Sequence, residues 1–150
     1  MAQKALKRCV FFAGKEPYMG MFETSVYRAG SWSGNDESND WLLRISVHDS
    51  DIATIDYRSD EGASGRFYLG FQPRDYFDNP DASEPVDLAA VSNSFSSWAS
   101  REVGTAVSPE ELRAFMASEA VEEPDDIFVE DTIVRLLERL GIPLPKWLAD

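Results

Sequence analysis

Three runs of alternating apolar and polar residues lie between Trp41 and Phe71, and they constrain the fold more than any other part of the chain. Apolar residues occupy every second position of each run, as a strand with one buried face requires. The breaks between the runs are short and rich in Asp, Ser and Gly, which tolerate tight turns. The pattern predicts an antiparallel three-stranded meander whose apolar face is covered by other elements.

Two further strands are expected before the meander. The run at 8–13 is apolar on both faces, and residues 19–28 alternate in the same way as the meander. A loop rich in Gly, Ser, Asn and Asp is predicted at 29–40, with Trp32 inside it. A large aromatic side chain in such a loop either folds back onto the core or anchors a partner.

The hydrophobic period changes to that of helices after Glu84. The first predicted helix is capped by Ser83 and stopped by Gly104, which are residue types favoured at those two positions. A second helix is predicted to start at Ser108, where the sequence Ser-Pro-Glu-Glu matches a capping box with proline at the first helical position.

The third helix is predicted over about 126–140, with Gly141 placed to end it. Strands followed by helices indicate an α+β fold. We therefore expect residues 1–150 to form a single α+β domain. Its N-terminal half should hold a sheet of about five mostly antiparallel strands, and about three helices from the C-terminal half should pack on one face of that sheet.

The negative charge is concentrated in one block of the chain. The formal net charge is −13, and residues 75–131 hold fifteen acids against two bases, Arg101 and Arg113. Such a block repels phosphate and therefore disfavours direct binding of nucleic acid, whereas it attracts a basic protein. There is no apolar stretch of the ~20 residues that a membrane span needs, and Cys9 is the only cysteine. These features predict a cytoplasmic protein that does not bind membranes.

His48 is the only histidine, which limits the catalytic and metal sites that the chain can build. Together with Asp49 and Asp51 it lies at a predicted hairpin turn, where the three side chains could hold a divalent cation and serve a metal-dependent hydrolase. The alternative is that the two aspartates form side-chain turns and that His48 is solvated, and this is the interpretation we prefer. No catalytic residue, metal or cofactor is predicted.

An acidic run without any base precedes the third predicted helix. In the free protein these carboxylates repel one another, and a partner rich in Arg and Lys would relieve the repulsion. Alternatively they are a solvated helix start that complements the helix dipole. The residues assigned to a partner-binding surface are Glu119, Glu122, Glu123, Asp125, Asp126, Phe128, Glu130, Asp131 and Trp32.

The chain as a whole is small, acidic, of α+β pattern and poor in motifs. In this profile it is similar to the immunity proteins and antitoxins with which bacteria neutralise their own toxins. The resemblance implies an acidic binding protein that masks a basic protein partner, such as a toxin or nuclease. The alternatives are a small-molecule-binding or scaffold domain and an acidic secretion chaperone; such chaperones usually open with a helix, whereas this chain is predicted to open with a strand.

Overall fold

The computed structural model describes residues 22–34, 40–117 and 128–149, and of Phe22 it describes the backbone alone. The strands in these ranges are β1 (Phe22–Arg28), β2 (Ser31–Ser33), β3 (Leu43–His48), β4 (Ile52–Arg58) and β5 (Ser64–Gly70). The α-helices are α1 (Pro73–Tyr76), α2 (Leu88–Trp98), which a π-helical turn (Ala99–Val103) extends, α3 (Pro109–Arg113), α4 (Val129–Leu140) and α5 (Lys146–Ala149). None of these described helices has the length and apolar content needed to cross a membrane.

The strands form one sheet in the order β2-β1-β3-β4-β5, with every pairing antiparallel. The predicted meander is confirmed as β3, β4 and β5, and its alternation places Leu43, Ile45 and Ile55 in the core. The α+β class is also confirmed, since the strands lie in the N-terminal half and the helices mostly in the C-terminal half. The strand predicted at 8–13 lies outside the described residues.

The loop predicted at 29–40 is wrong near its start, because Ala29 and Gly30 form a tight turn and Ser31–Ser33 form strand β2. Ala29 and Gly30 have φ angles of 53° and 85°. Two successive residues with positive φ make the tight turn whose twist matches the flanking strands. Trp32 consequently lies opposite Tyr27 of β1. The composition of a tight hairpin turn resembles that of a loop, so the sequence pattern did not separate them.

Helices α2 and α4 cover one face of the sheet, and α3 packs beside α2. The rings of Phe95 and Trp98 in α2 stack with their centroids 5.1 Å apart, and the Phe95 ring lies 4.9 Å from that of Tyr57 on β4. Trp98 also donates its indole N–H to the carbonyl of Arg58 at 2.9 Å. Burying side chains of this size stabilises the fold by roughly 1.5–3 kcal/mol each. Packing therefore compensates for the low helix propensity of the serines in α2.

The helix boundaries predicted at Ser108 and Gly141 are confirmed, whereas the start predicted for α2 is wrong. The hydroxyl of Ser108 accepts the backbone N–H of Glu111 at 3.1 Å, which confirms the predicted cap of α3. Gly141 ends α4 with a φ of 76°, also as predicted. The start predicted for α2 at Ser83 is wrong, because the chain first passes along the edge of the sheet. Asp87 caps the helix instead, and its carboxylate accepts a backbone N–H at 3.1 Å.

Candidate functional site

Among the strands that the structure describes, β5 forms one edge of the sheet, so half of its backbone groups point away from β4. At the start of the β4–β5 ladder, the N–H of Ser59 donates to the carbonyl of Ala63 at 2.8 Å. Hydrogen-bonded and non-bonded pairs alternate along an antiparallel ladder. The next residues along β5 that direct their N–H and C=O groups outward are therefore Ser64, Arg66 and Tyr68.

One end of this edge is covered and the other is open. The outward carbonyl of Tyr68 accepts the N–H of Ala117 at 2.7 Å, so the chain after α3 closes that end. Among the described residues, nothing forms a hydrogen bond with the outward backbone groups of Ser64 and Arg66. The edge of β5 therefore presents free donors and acceptors over its first residues.

A groove of about 530 Å³ runs along the open part of the edge. We call it the edge groove. Ser64, Gly65, Arg66 and Tyr68 of β5 form one wall, residues 82–87 form the opposite wall, and Val91 and Ser94 of α2 contribute to its base. Backbone groups that can pair with an incoming chain therefore border a groove that is open to solvent.

The base of the edge groove is fixed by the cross-strand pair of Tyr57 and Gly65. A Cβ added to Gly65 would lie only 2.3 Å from the phenolic oxygen of Tyr57, so the tyrosine ring crosses directly over the glycine. Burial raises the pKa of Tyr57, and a hydrogen bond with Ser94 acts in the opposite direction. The phenol of Tyr57 is therefore a buried, neutral group and not an exposed acid.

The opposite wall belongs to a part of the chain that carries negative charge only. Residues 75–100, which we call the acidic segment, contain five acids and no Lys, Arg or His. Of these acids Asp75 is partly buried and the other four are exposed. Glu84 and Asp87 line the edge groove itself. The exposed acids of the segment are Asp78, Asp81, Glu84 and Asp87.

Many arginines elsewhere in the described part of the chain are already paired with carboxylates. The ion pairs join Arg28 to Asp40 and Asp60, Arg44 and Arg66 to Asp56, Arg101 to Glu61, and Arg139 to Glu111. Hydrogen bonds from the guanidinium groups lower the pKa of Asp60 and of Glu111. These arginines are therefore matched by their own carboxylates, and the acidic segment keeps its negative field.

Arg66 lines the edge groove, but a neighbouring carboxylate offsets its charge. Its guanidinium donates to Asp56 at 2.6 Å, and Arg44 reaches the same carboxylate at 3.1 Å. On the same face of the sheet, the guanidinium of Arg58 lies 3.8 Å from the ring centre of Trp41. Arg66 nevertheless faces Glu84 and Asp87 across the groove, and Glu84 also borders a second hollow with Arg44 and Arg58.

The acidic surface predicted before α4 is only partly within the described residues. Glu119, Glu122, Glu123, Asp125 and Asp126 lie outside them. The remaining three residues begin α4: Phe128 is half-buried, Asp131 is exposed, and Glu130 is fully buried.

Glu130 lies inside the fold and is not part of the surface that a partner would contact. Its Oε2 accepts the hydroxyl of Ser50 at 3.0 Å, and the carbonyl of Ser50 accepts the N–H of Val129 at 2.9 Å. Burial raises the pKa of Glu130 to about 7, and the charges of Asp131 and Asp51 add to this effect. Among the described residues its Oε1 has no hydrogen-bond partner. Glu130 therefore links the start of α4 to the β3–β4 turn.

The turn with His48, Asp49 and Asp51 is structured by contacts within the protein. The phenol of Tyr76 donates to the buried carboxylate of Asp51 at 2.9 Å, and the His48 ring packs edge-on against Phe77 with centroids 5.5 Å apart. Within the described ranges no three His, Cys, Asp or Glu side chains are grouped so as to hold a metal ion.

Trp32 folds back onto the domain. Its ring lies 5.1 Å from that of Tyr27, and its indole N–H donates to the carbonyl of Pro143 at 2.5 Å. It also lines a hollow of about 450 Å³ with Trp147, whose indole N–H donates to Ser25 at 2.7 Å. The two tryptophans thus attach the end of the chain to β1 and β2.

The sequence interpretation missed both the edge groove and the buried position of Glu130. The absence of any base from 75 to 100 was visible and could have indicated the acidic segment. Glu130 precedes Ile133, Leu137 and Leu140 at steps of three and four residues, which is the spacing of the buried face of α4. That spacing could have identified it as a buried acid.

Comparisons with protein-family models, curated proteins and solved structures gave no match to this chain. Its function is therefore inferred from the chemistry of the groove and of the acidic segment.

Proposed function

We propose that this protein binds and masks a basic protein partner, and that the partner is a bacterial toxin or nuclease which it neutralises. The observation that supports this proposal best is the exposed acidic segment, in which four carboxylates are exposed and no base lies between Arg74 and Arg101. The profile shared with immunity proteins and antitoxins suggests the class of partner. The single cysteine favours a cytoplasmic location for the complex.

Charge of this kind acts on a partner before contact is made. Exposed charges attract one another over a Debye length of about 10 Å at 0.1 M salt, and complementary charge increases the rate of association. Binding a basic surface would also relieve the repulsion among the acids of the segment. Phe77 is half-exposed and directly precedes Asp78, so an apolar contact lies next to the charged one. Exposed aromatic residues are frequent anchors of protein interfaces.

The proposal predicts that charge reversal in the acidic segment weakens binding more than the same reversal elsewhere. Asp81→Lys combined with Glu84→Lys should lower affinity for the captured partner about tenfold at low salt, mainly through slower association. Glu110→Lys combined with Glu138→Lys changes the net charge equally at exposed positions outside the segment. The partner would be captured from cells of the native source, identified by mass spectrometry, and its affinity measured over a salt series.

Two results would contradict the proposal. If both double variants bind equally well, the acidic segment is not the interface. If no basic protein is captured at low salt, the protein does not act by charge complementarity. Neutralisation itself is tested by expressing the captured partner alone and with this protein: growth arrest should occur in the first case and be relieved in the second.

A second candidate function is the binding of a small molecule in the hollow between Trp32 and Trp147. Its volume of about 450 Å³ lies within the usual range for ligand sites, and Glu23 and Lys146 supply opposite charges at its rim. A metabolite screen by thermal shift should then give a ligand that raises the Tm of the wild type but not that of Trp147→Ala. A screen without such a ligand removes this candidate.

A further inference from the structure

We infer that the open edge of β5 binds an extended basic segment of the partner by strand addition, so that the segment becomes a further strand beside β5. The inference rests on the proposed function, because it specifies how the basic partner is held. Strand addition is a common mode of peptide recognition, in which main-chain hydrogen bonds give affinity and alternate side chains give specificity.

The backbone geometry sets the position of the added strand. Ser64 and Arg66 each present an outward N–H and C=O, which is the spacing that an incoming strand needs to form a ladder. A neighbouring strand would lie about 4.8 Å from β5, on the side of the strand that borders the edge groove. The bond from Ala117 to Tyr68 closes the ladder at the other end, so the added strand is short.

The charges around the groove determine what the strand carries. Successive side chains of an added strand point alternately to the two faces of the sheet, and a long Lys or Arg side chain can bend from there toward residues 82–87, which lie beside the strand. Glu84 and Asp87 line that wall, and no base of the acidic segment offsets them. Arg66 is held by Asp56. Lys or Arg at alternate positions of the incoming segment therefore complements the site.

The edge of β5 has little of the usual protection against pairing over its first residues. Natural edge strands are protected by charged side chains, proline, bulges or covering segments, and here Arg66 is the charged side chain. Residues 64–70 contain no proline, and the covering contact at Ala117 reaches only Tyr68. An edge left open beside a wall of one charge suits a partner strand of the opposite charge.

The experiment uses the full chain and a synthetic peptide that alternates lysine with valine. Amide exchange followed by NMR should show that the N–H groups of Ser64 and Arg66 become protected when this peptide is added. Ser64→Pro removes one outward donor and fills the groove at a position where a strand tolerates proline, so it should weaken peptide binding at least about tenfold. Ser64→Ala keeps the donor and should bind as the wild type does. A peptide that alternates glutamate with valine should not bind.

The outcomes separate this inference from the proposed function. If the lysine peptide or the captured partner binds without protecting these two amides, strand addition is overturned and the charge-based proposal stands. If the peptide protects the amides but no basic protein is captured from cells, the edge is a binding site and the proposed function fails. A dimer of this chain that Ser64→Pro dissociates would show that a second copy occupies the edge, which also overturns the inference. Circular dichroism of both Ser64 variants shows whether they fold.

Discussion

Replacing Gly70 by alanine is expected to lower the free energy of unfolding by about 3 kcal/mol. Gly70 has a φ of 81°, where a side chain strains the backbone. A Cβ at this position would lie 2.2 Å from the carbonyl oxygen of Asp51, a backbone atom that also accepts the N–H of Phe71. It would lie 3.1 Å from the side chain of Val129. The overlap can be relieved only by moving the turn that contacts the start of α4.

Gly30 provides the matched control for this prediction. Its φ of 85° is similar, but a Cβ there would meet nothing within 4 Å. Gly30→Ala should therefore show backbone strain alone, about 1 kcal/mol. Urea denaturation of both variants measures the two losses. Equal losses would mean that the β3–β4 turn moves to accommodate the added Cβ at no cost in stability.

Stability is expected to fall as the pH rises through neutrality because of Glu130. Its pKa is raised to about 7 in the folded protein, mainly by burial, from an ordinary value of 4.5. The folded state therefore holds this proton more tightly than the unfolded state does. The contribution is fully present below pH 4.5 and is lost as the pH rises through about 7. Since a difference of one pKa unit corresponds to 1.36 kcal/mol, this contribution to the free energy of unfolding amounts to about 3 kcal/mol.

Glu130→Gln isolates this contribution, since glutamine does not titrate. The difference in the free energy of unfolding between wild type and variant should change by about 3 kcal/mol between pH 4.5 and pH 8, with the wild type losing stability relative to the variant. Glu138→Gln, on an exposed part of the same helix, removes the same formal charge and is the matched control. A constant difference for Glu130→Gln would show that this carboxylate is ionised inside the fold.

Much of the fold could be predicted because its signals are local. The alternation in β3, β4 and β5, the cap at Ser108 and the stop at Gly141 depend on residues a few positions apart. Of the two errors, one is local: the turn before β2 was interpreted as a loop because the two have a similar composition. The start of α2 was placed too early because residues 82–87 first pass along β5.

The candidate site was less predictable than the fold for the same reason. The run of acids without bases is a property of the sequence, and so is the attraction of a basic partner that follows from it. Glu130, in contrast, was predicted to be a surface acid. Its position depends on Ser50, eighty positions away, whose carbonyl accepts the N–H of Val129 and whose hydroxyl donates to the carboxylate of Glu130.

The sequence by itself determined the α+β class, the face of each meander strand that is buried, and the sign and location of the charge. These properties follow from side-chain periodicity and composition, which act over a few residues. Only the tertiary structure decided that the first residues of β5 form an open edge, that residues 82–87 face it, and that Glu130 is buried. Each of these depends on which segments, far apart in the chain, pack against one another.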